Sequence, residues 1–457
     1  MHIVNSFVLL VVSIFIISLS PDNLLSQFSE STIINRNQTY ESLSLEECLS
    51  IAEKNNFDIS ISNYQMQSAG AEVTNAFGNY LPSVSFNASY NRAGRDVYNP
   101  INGAYAGYYT NDSYSMSAGG RLNIFDGFRR EYIYQSATNN YDASVLTKEQ
   151  TIADVRLNVY KLYIAIIYNY QSIKIQQENL EQGKTELERI KALHEAGSIP
   201  IGDLYAQESD LGNKEINLIN SHKQLAISKA NLLNHIGFNP NMDVEFLESS
   251  LPIDIREDDI KKFNSKISAF RIQMTKALNN RADYEASQLN INSTENSVDI
   301  AKSGYYPTLS ASAGWNFQNE EFQNISDFDA TSFGFTFSLP IFQNFTVHNN
   351  VERAKLSHQQ SIVRHERLKQ TILTNLNTLF LSLDAYERQI IVSTKAVKSA
   401  EQNYNSAKSR FEIGAASITD LIQANTAYLT AKINKINSIY SYIQTQKEIL
   451  HGVGELD

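Results

Sequence analysis

The chain has 457 residues, a net charge of −11 and one cysteine, Cys48, beside 25 tyrosines and 22 phenylalanines. The acidic balance argues against a nucleic-acid partner, because phosphate contacts need clustered lysine and arginine. A lone cysteine excludes an intrachain disulfide and a cysteine-based metal site. The many aromatic rings suit a surface that meets a membrane interface.

Residues 1–26 are predicted to be a signal peptide. Phe7 to Leu19 form an apolar run of signal-peptide length, and small and polar residues follow it. A single transmembrane anchor is the alternative, because the run is preceded by His2 and by no lysine or arginine. No cysteine is placed to carry a lipid. No later segment reaches the ~20 apolar residues of a spanning helix, so we expect any later membrane crossing to use β-strands.

The first predicted helix begins after Ser44, which has a capping-box spacing to Glu47. We expect this helix to continue without a break to about Asn79. It is predicted to end before Pro82, since the residue that precedes a proline avoids the helical region.

A β-hairpin is predicted next. Residues 83–90 alternate between apolar and polar side chains, which indicates a strand with one apolar face. A loop rich in asparagine, glycine and tyrosine is expected over 91–112, and a second alternating strand over 113–124. Arg121 lies on the polar face of that strand, where it points either into a lumen or towards the membrane interface.

A very long helix follows the turn Phe125-Asp126-Gly127-Phe128. Its predicted length is roughly 70 residues, about 105 Å at 1.5 Å per residue. Apolar residues recur along it at heptad-like spacing, which predicts coiled-coil packing against neighbouring helices. The seam contains Tyr163, Ile166, Tyr170, Ile173, Leu180 and Leu187, with interruptions at Gln177 and Lys184. The helix is predicted to break at Gly197, and a helix about half as long returns over about 202–236.

The second half of the chain repeats this order at a constant offset. The same separation along the sequence is found between Phe125 and Phe342, between Gly197 and Gly414, and between Asp203 and Asp420. One offset kept from turn to helix break indicates a duplicated structural unit. Pro82 and Pro307 precede the two hairpins, and their separation is larger by eight, so the first hairpin is the longer one.

The duplication sets the predicted organisation of the chain. The second-half elements are a helix over 271–303, strands over 308–317 and 332–339 around an acidic loop at 318–330, a second long helix, and a returning helix over 417–451. Each returning helix is expected to stack end to end with a pre-hairpin helix, so that two short helices pair with one long helix. The predicted divisions are a first repeat over 27–237, a connector with only short structure over 238–270, and a second repeat over 271–457.

Four strands with one apolar face leave two unpaired edges and cannot close a barrel alone. If the apolar face meets lipid, several chains must each contribute a hairpin pair to one barrel. We therefore predict a mixed α and β membrane protein, made mostly of long coiled-coil helices, that forms an oligomeric conduit.

The duplicated order of elements resembles the TolC family of outer-membrane efflux and secretion channels. Each copy begins with a helix that ends at Leu81-Pro82 or Tyr306-Pro307, followed by a hairpin and a turn such as Phe-Asp-Gly-Phe. A long helix, a break with the pattern Gly-x-x-x-x-x-Asp-Leu and a returning helix complete the copy. It extends over about Leu43 to Gly454. The resemblance implies a homotrimer whose strands form one β-barrel in outer-membrane lipid, above a long periplasmic α-barrel. It also implies docking to a periplasmic adaptor protein and to an inner-membrane pump, proton-driven or ATP-driven, with no cofactor.

In this family the helix breaks form the periplasmic tip that meets the adaptor. The corresponding residues here are Gly197, Ser198, Ile199, Gly414, Ala415 and Ala416. Ser198 and Ala415 replace the hydrophobic or threonine residue that often follows the glycine. Both glycines are also expected to be left-handed helix C-caps.

The resemblance also places acidic residues around a closed aperture just inside the tip. Asp203 and Asp420 match these positions, and Gln423 stands where some members carry a second aspartate. A ring of like charges around a symmetry axis attracts cations. Alternatively, the two aspartates stabilise the positive end of each returning helix.

We predict a passive outer-membrane duct with a long periplasmic extension, carrying small molecules such as drugs and toxic compounds. The outer-membrane component of a type I protein secretion system is one alternative, and a structural or adhesive coiled-coil envelope protein is another. An enzyme is not expected, because no phosphate loop, nucleophile elbow or carboxylate pair is present. His358 and His365 are seven residues apart, which is too far for a metal site on one helix, and we expect them on solvated faces.

Overall fold

The computed structural model describes residues 41–99, 101, 103–267, 270–322 and 329–456. The predicted signal peptide, residues 1–26, lies outside these ranges, and so does the centre of the predicted acidic loop. Within the described ranges, no helix is both long enough and apolar enough to cross a membrane.

Long α-helices make up most of the chain. The helices among the described residues, long and short, are in order α1 (Leu45–Asn55), α2 (Phe57–Gly78), α3 (Arg129–Glu195), α4 (Ile201–His235), α5 (Glu257–Lys266), α6 (Phe270–Asn280), α7 (Ala282–Lys302), α8 (Thr346–Glu412) and α9 (Ile418–Gly452). The predicted long helices are confirmed as α3 and α8, of 67 residues each. The predicted returning helices are confirmed as α4 and α9, of 35 residues each. The offset is kept in the structure, since α8 starts as far after α3 as α9 starts after α4.

The prediction of one unbroken helix before each hairpin was wrong. The capping box of Ser44 and Glu47 is present, but α1 ends at Asn56, whose backbone is extended with φ −65° and ψ 135°. The Asn56 side chain accepts hydrogen bonds from the backbone N–H groups of Asp58 and Ile59, at 2.8 and 3.2 Å, and so caps α2. Asparagine competes for backbone hydrogen bonds in this way. In the second half, the helix breaks at Arg281.

Each returning helix ends against one of these breaks. Gly237, which follows α4, has φ +81°, and an added Cβ would lie 2.5 Å from the carbonyl oxygen of Asn55. Gly454, which follows α9, has φ +72°, and an added Cβ would lie 3.0 Å from the carbonyl oxygen of Asn280. The predicted end-to-end stacking is therefore confirmed: α2 and α4 both pack along α3, and α7 and α9 both pack along α8.

The two hairpins form one antiparallel sheet in the order β2-β3-β5-β6. The strands among the described residues are β1 (Ser42–Leu43), β2 (Ser83–Asn99), β3 (Ala104–Phe125), β4 (Glu245–Phe246), β5 (Thr308–Asn319) and β6 (Asp329–Ser338). The loop predicted over 91–112 was wrong, because most of that segment continues β2 and β3. Cross-strand pairs compensate for its weak strand formers: Arg92 pairs with Asp112 at 3.6 Å within the segment, and next to it the rings of Tyr90 and Tyr114 lie 5.0 Å apart.

The sheet has one apolar and one polar face, as predicted. Ala118 lies opposite Phe86 on one neighbouring strand and Trp315 on the other. At the β6 edge, Phe333 is 77% exposed. On the other face, Arg121 donates a 3.3 Å hydrogen bond to the hydroxyl of Ser310, so its side chain follows the polar face.

The main core lies at the middle of the long helices, where the connector crosses them. The connector contains β4, a 3₁₀ turn at Glu248–Ser250 and α5. Strand β4 pairs in parallel with β1. The fully buried Tyr163 of α3 holds this pair in place, because its hydroxyl donates a 2.8 Å hydrogen bond to the carbonyl oxygen of Leu247. Cys48 is buried in the same core.

Candidate functional site at the helix turns

The two helix breaks have the same backbone geometry. Gly197 has φ +70° and Gly414 has φ +73°, in the left-handed region. The N–H of the next residue bonds to the carbonyl five residues earlier, at 2.8 Å for Ser198 and 2.7 Å for Ala415. This is the Schellman arrangement, which satisfies the last helical carbonyls. Both glycines are therefore helix C-caps, as predicted, and nothing lies within 4 Å of a Cβ added at either one.

The structure brings both turns to the same end of the helices. Side chains of α3, α8 and α9 meet there in a small buried core of Ile190, Phe411, Ile418 and Leu421. Leu204 of α4, Ile199 and Ala416 pack against this core. The glycines, Ser198 and Ala415 are exposed. Of the six residues predicted to contact an adaptor, four are thus available at the surface and two support the turns from inside.

Asp420 is a capping residue. It lies in the first turn of α9, and its carboxylate accepts hydrogen bonds from the backbone N–H of Ser417 at 3.0 Å and from its hydroxyl at 2.8 Å. The Ser417 hydroxyl accepts the N–H of Asp420 at 3.2 Å in return. These hydrogen bonds, first the backbone one and then the hydroxyl one, lower the pKa of Asp420. The predicted role at the positive end of the helix is confirmed for this residue.

Asp203 occupies the same position of α4 without such a cap. Pro200 stands where Ser417 stands in the other copy, and it offers neither an N–H nor a hydroxyl. Within the described part of the chain, the Asp203 carboxylate makes no hydrogen bond or ion pair, and the residue is half-buried. Gln423, one turn into α9, is exposed beside a groove between α8 and α9.

A buried polar layer lies above the turns, and the sequence did not reveal it. Asn425 of α9 donates a 2.8 Å hydrogen bond to Asn179 of α3, and both amides are buried. Nearby, Lys214 Nζ lies 2.7 Å from Asp210 Oδ2, an ion-pair contact at an angle unsuited to a hydrogen bond. The signal was Gly183, in the last third of α3, because a Cβ there would lie 2.9 Å from Lys214 Cδ. A glycine inside a helix marks such close approaches.

The two singled-out histidines have structural roles. His358 Nδ1 lies 3.2 Å from Thr294 Oγ1, and His365 Nδ1 lies 2.6 Å from Ser287 Oγ. The expectation of solvated faces was wrong for His365, which is buried and stacks on Tyr284 with ring centroids 4.4 Å apart. Among the residues that the structure describes, no group of three or more side chains is arranged to hold a metal ion.

Comparison with known proteins places these features in a family. The model of the family described as outer membrane efflux protein matches residues 48–237 and 274–455. The chain is 20% identical to the outer membrane protein TolC of Salmonella enteritidis over 341 residues, which are 71% of this chain and 65% of that protein. It is also 20% identical to TolC of Vibrio cholerae over 424 residues, 86% of each chain.

The fold agrees with that of solved channels. A crystal structure of CusC, whose description concerns folding and transmembrane channel formation, superposes with a TM-score of 0.76. It has 15% sequence identity and covers 92% of this chain and 95% of the other. The aligned part spans just under two thirds of the Salmonella relative, but the family model matches most of the present chain, in both repeats. The chain belongs to the outer membrane efflux protein family.

Proposed function

We propose that three copies of this chain form a passive export duct in the outer membrane, with the long helices extending into the periplasm. The observation that carries the proposal is the open sheet. It has an exposed apolar face, a polar face and two unpaired edges, β2 and β6, among the described strands. Closing the ring removes both edges and turns the apolar face to lipid. The number three comes from the family resemblance.

The sheet has two different edges, β2 and β6, and the helices have two different exposed faces, one between α8 and α9 and one along α4. Such unlike surfaces favour head-to-tail association, which can close into a ring. A groove of 910 Å³ runs between α8 and α9, with small side chains such as Ala427 and Ala431 along it. An exposed apolar stripe runs along α4, where Ile216 is 56% and Ile219 is 66% exposed. Stripe and groove lie at similar distances from the helix turns, so the proposed arrangement places α4 of one copy in the groove of the next.

Crosslinking tests this arrangement. We expect a chain with Ile216→Cys and Ala431→Cys to form species up to a trimer under mild oxidation, whereas either single variant stays monomeric on a denaturing gel. Cys48 does not interfere, because it is buried and burial raises the pKa of its thiol to about 12. Larger ladders, or release of the protein from membranes by alkali without detergent, would instead favour a coiled-coil spacer.

The partners follow from the exposed turns. The proposed adaptor contacts are Gly197, Ser198, Gly414 and Ala415, with Ile199 and Ala416 supporting them. A photoactivatable crosslinker on a cysteine at Ser198 or Ala415, used in cells, should capture a periplasmic adaptor, with the inner-membrane pump in the same complex. A proton-driven pump would support small-molecule efflux. An ATP-driven transporter would support type I secretion instead.

The aperture is proposed at Asp203, Asp420 and Gln423. Asp203 is the stronger candidate for a cation-attracting ring, because the Asp420 carboxylate is already committed to its cap. In planar bilayers, Asp203→Asn should weaken block by multivalent cations more than Gln423→Ala does. Asp420→Ala should alter block or leakiness only as far as it disturbs the start of α9. Unchanged block in all three variants would remove the aperture from this position.

A further inference from the structure

A cleft of 710 Å³ opens at the middle of the molecule, between α5 of the connector and the helices α3 and α9. Tyr160 on its wall lies well before the end of α3, about 50 Å from the helix turns at 1.5 Å per residue. The volume falls in the range of about 300–1,000 Å³ that is usual for small-molecule sites. Leucine, isoleucine, proline and aromatic side chains form most of its wall.

Three lysines line this cleft without a carboxylate partner among the described residues: Lys262, Lys266 and Lys447. Lys447 is half-buried, and its Nζ lies 4.2 Å from the centroid of the Tyr160 ring. Burial, and then the nearby charge of Lys266, lower the pKa of Lys447. Neighbouring lysines are paired by contrast, since Lys161 lies 2.8 Å from Glu448. An anion between Lys447 and Lys266 would relieve their repulsion.

The carboxylates around the cleft do not neutralise these lysines. Asp254 pairs with Lys435 at 3.3 Å, on the outer side. Asp259 accepts the backbone N–H of Arg256 at 3.2 Å and is used to begin α5. Glu46, on the exposed rim, is the remaining acid of the lining. The lining thus holds three carboxylates and three lysines, and none of these carboxylates forms an ion pair with a lysine of the cleft.

A buried hydroxyl completes the site. Tyr442 of α9 lines the cleft and is 1% exposed, yet its hydroxyl makes no hydrogen bond of acceptable geometry with the described residues. Burial raises the pKa of Tyr442 to about 12, and the charges of Glu387 and Asp259 also raise it, against an opposing effect of the adjacent Gln446 side chain. The hydroxyl therefore keeps its proton and remains a donor. Nearly all buried polar groups in proteins have a partner. An unused donor in the same cleft as three lysines without ion-pair partners suits an anionic acceptor.

We propose that this cleft binds a small amphiphilic anion. Its carboxylate or phosphate head is held by Lys447, Lys266 and the Tyr442 hydroxyl, and its apolar body lies against Tyr160 and Phe263. The site is remote from the helix turns and the sheet, so it is independent of the proposed duct.

Octanoate is the first probe, because it is soluble as a monomer and carries one carboxylate on an apolar chain. It is titrated into the full chain in nanodiscs by isothermal titration calorimetry, with empty nanodiscs subtracted. We expect saturable binding of one octanoate per chain. Octyltrimethylammonium, with the opposite charge, should not bind, and inorganic phosphate should bind weakly and compete. Equal binding of the cation, or no binding of octanoate, would overturn the proposal.

Matched variants locate the site. Tyr442→Phe should weaken octanoate binding about tenfold, the effect of losing one hydrogen bond to a charged group. Its melting temperature without ligand should change little, because the deleted hydroxyl makes no hydrogen bond of acceptable geometry and only the Gln446 side chain lies beside it. Tyr440→Phe is the control, since that buried hydroxyl is also unpaired but lies outside the cleft. Wild-type affinity in Tyr442→Phe would overturn the role of the hydroxyl.

A second pair of variants tests the charge. Lys447→Gln should weaken binding tenfold or more, and Lys447→Arg should restore most of the loss. Lys229→Gln is the control, because Lys229 also lies over a tyrosine ring, 5.6 Å from that of Tyr170, but outside the cleft. Equal losses in Lys447→Gln and Lys229→Gln would mean a general charge effect and no site. Channel conductance, measured in parallel, should be unchanged, which separates this result from any failure of the duct.

Discussion

The side-chain amide of Asn56 donates a 2.7 Å hydrogen bond to the carbonyl oxygen of His235, the last residue of α4. This contact joins the break between α1 and α2 to the end of the returning helix. It satisfies a helix-end carbonyl that would otherwise lack an internal partner. The break is therefore part of the stacking that lets two short helices run along one long helix.

Gly237→Ala tests that junction. The glycine has φ +81°, and its new methyl group would lie 2.5 Å from the carbonyl oxygen of Asn55. Gly197→Ala is a matched control, because Gly197 has a similar φ of +70° but open space around it. We expect Gly197→Ala to cost about 1–2 kcal/mol from left-handed strain alone, and Gly237→Ala to cost clearly more. Thermal unfolding at one protein and detergent concentration measures both, and equal losses would contradict the close contact.

The cap of α9 predicts a pH dependence. The folded-state pKa of Asp420 is lowered by the hydrogen bonds from Ser417, so this carboxylate stabilises the folded state above its unfolded pKa, near 4. The contribution is lost as the pH falls through the lower folded value. Asp420→Asn should therefore flatten the decline of unfolding temperature below about pH 4, and Ser417→Ala should do so in part. A decline as steep as that of the wild type in both variants would exclude the cap as its cause.

The buried amide pair suits a double-mutant cycle. Either Asn179→Leu or Asn425→Leu leaves the other amide buried without its 2.8 Å hydrogen bond, at a cost of about 1–3 kcal/mol. Replacing both at once should recover much of this loss, because no unpaired polar group remains. Urea unfolding midpoints of the four proteins give the coupling energy. Additive losses would show that the two side chains do not act as a pair.

Adjacent residues of β3 test which face of the sheet meets water. Ser117 lies on the polar face opposite Asn87, and Ala118 lies on the apolar face opposite Phe86. In outer-membrane vesicles, a water-soluble maleimide should label Ser117→Cys and leave Ala118→Cys largely unlabelled. Mass spectrometry after detergent extraction measures the ratio of labelled to unlabelled protein for each variant. Strong labelling at both positions would mean that the apolar face is not covered by lipid.

The long-range organisation was predictable because it depends on repetition and periodicity. The constant spacing of Gly197 from Gly414 identified the two copies, and the left-handed caps followed from the glycines themselves. Alternation along 83–90 placed the apolar face correctly. These signals are local, or compare the chain with itself, so they can be read without tertiary contacts.

The details that failed depend on contacts between distant segments. Asn56 breaks its helix where the end of α4 arrives, and nothing in the neighbouring residues indicates that arrival. Most of the segment 91–112 forms strands because Asn91 to Asn99 pair with Ala104 to Ser113 across the hairpin, against the propensity of the glycines and asparagines. For the Asn179 and Asn425 pair, 246 residues apart, the local signal was limited to the nearby Gly183, a glycine inside a helix. The two alternatives for the Asp420 carboxylate could not be separated from the sequence; its capping contacts with Ser417 are now located, and its place at an aperture stays a prediction.

The constant offset between the two copies has a consequence for how the chain tolerates changes in length. Deleting one residue from α3 would rotate everything beyond it by about 100° and shift it by about 1.5 Å, so that the turn at Gly197 would no longer align with the turn at Gly414. The two long helices, α3 and α8, must therefore keep equal lengths for the two turns to stay aligned. The two hairpins need not have equal lengths, and the strands of the first hairpin are in fact longer than those of the second. An epitope tag is therefore best inserted between β2 and β3. This hairpin lies at the end of the molecule opposite the helix turns, and an insertion there changes the length of neither long helix.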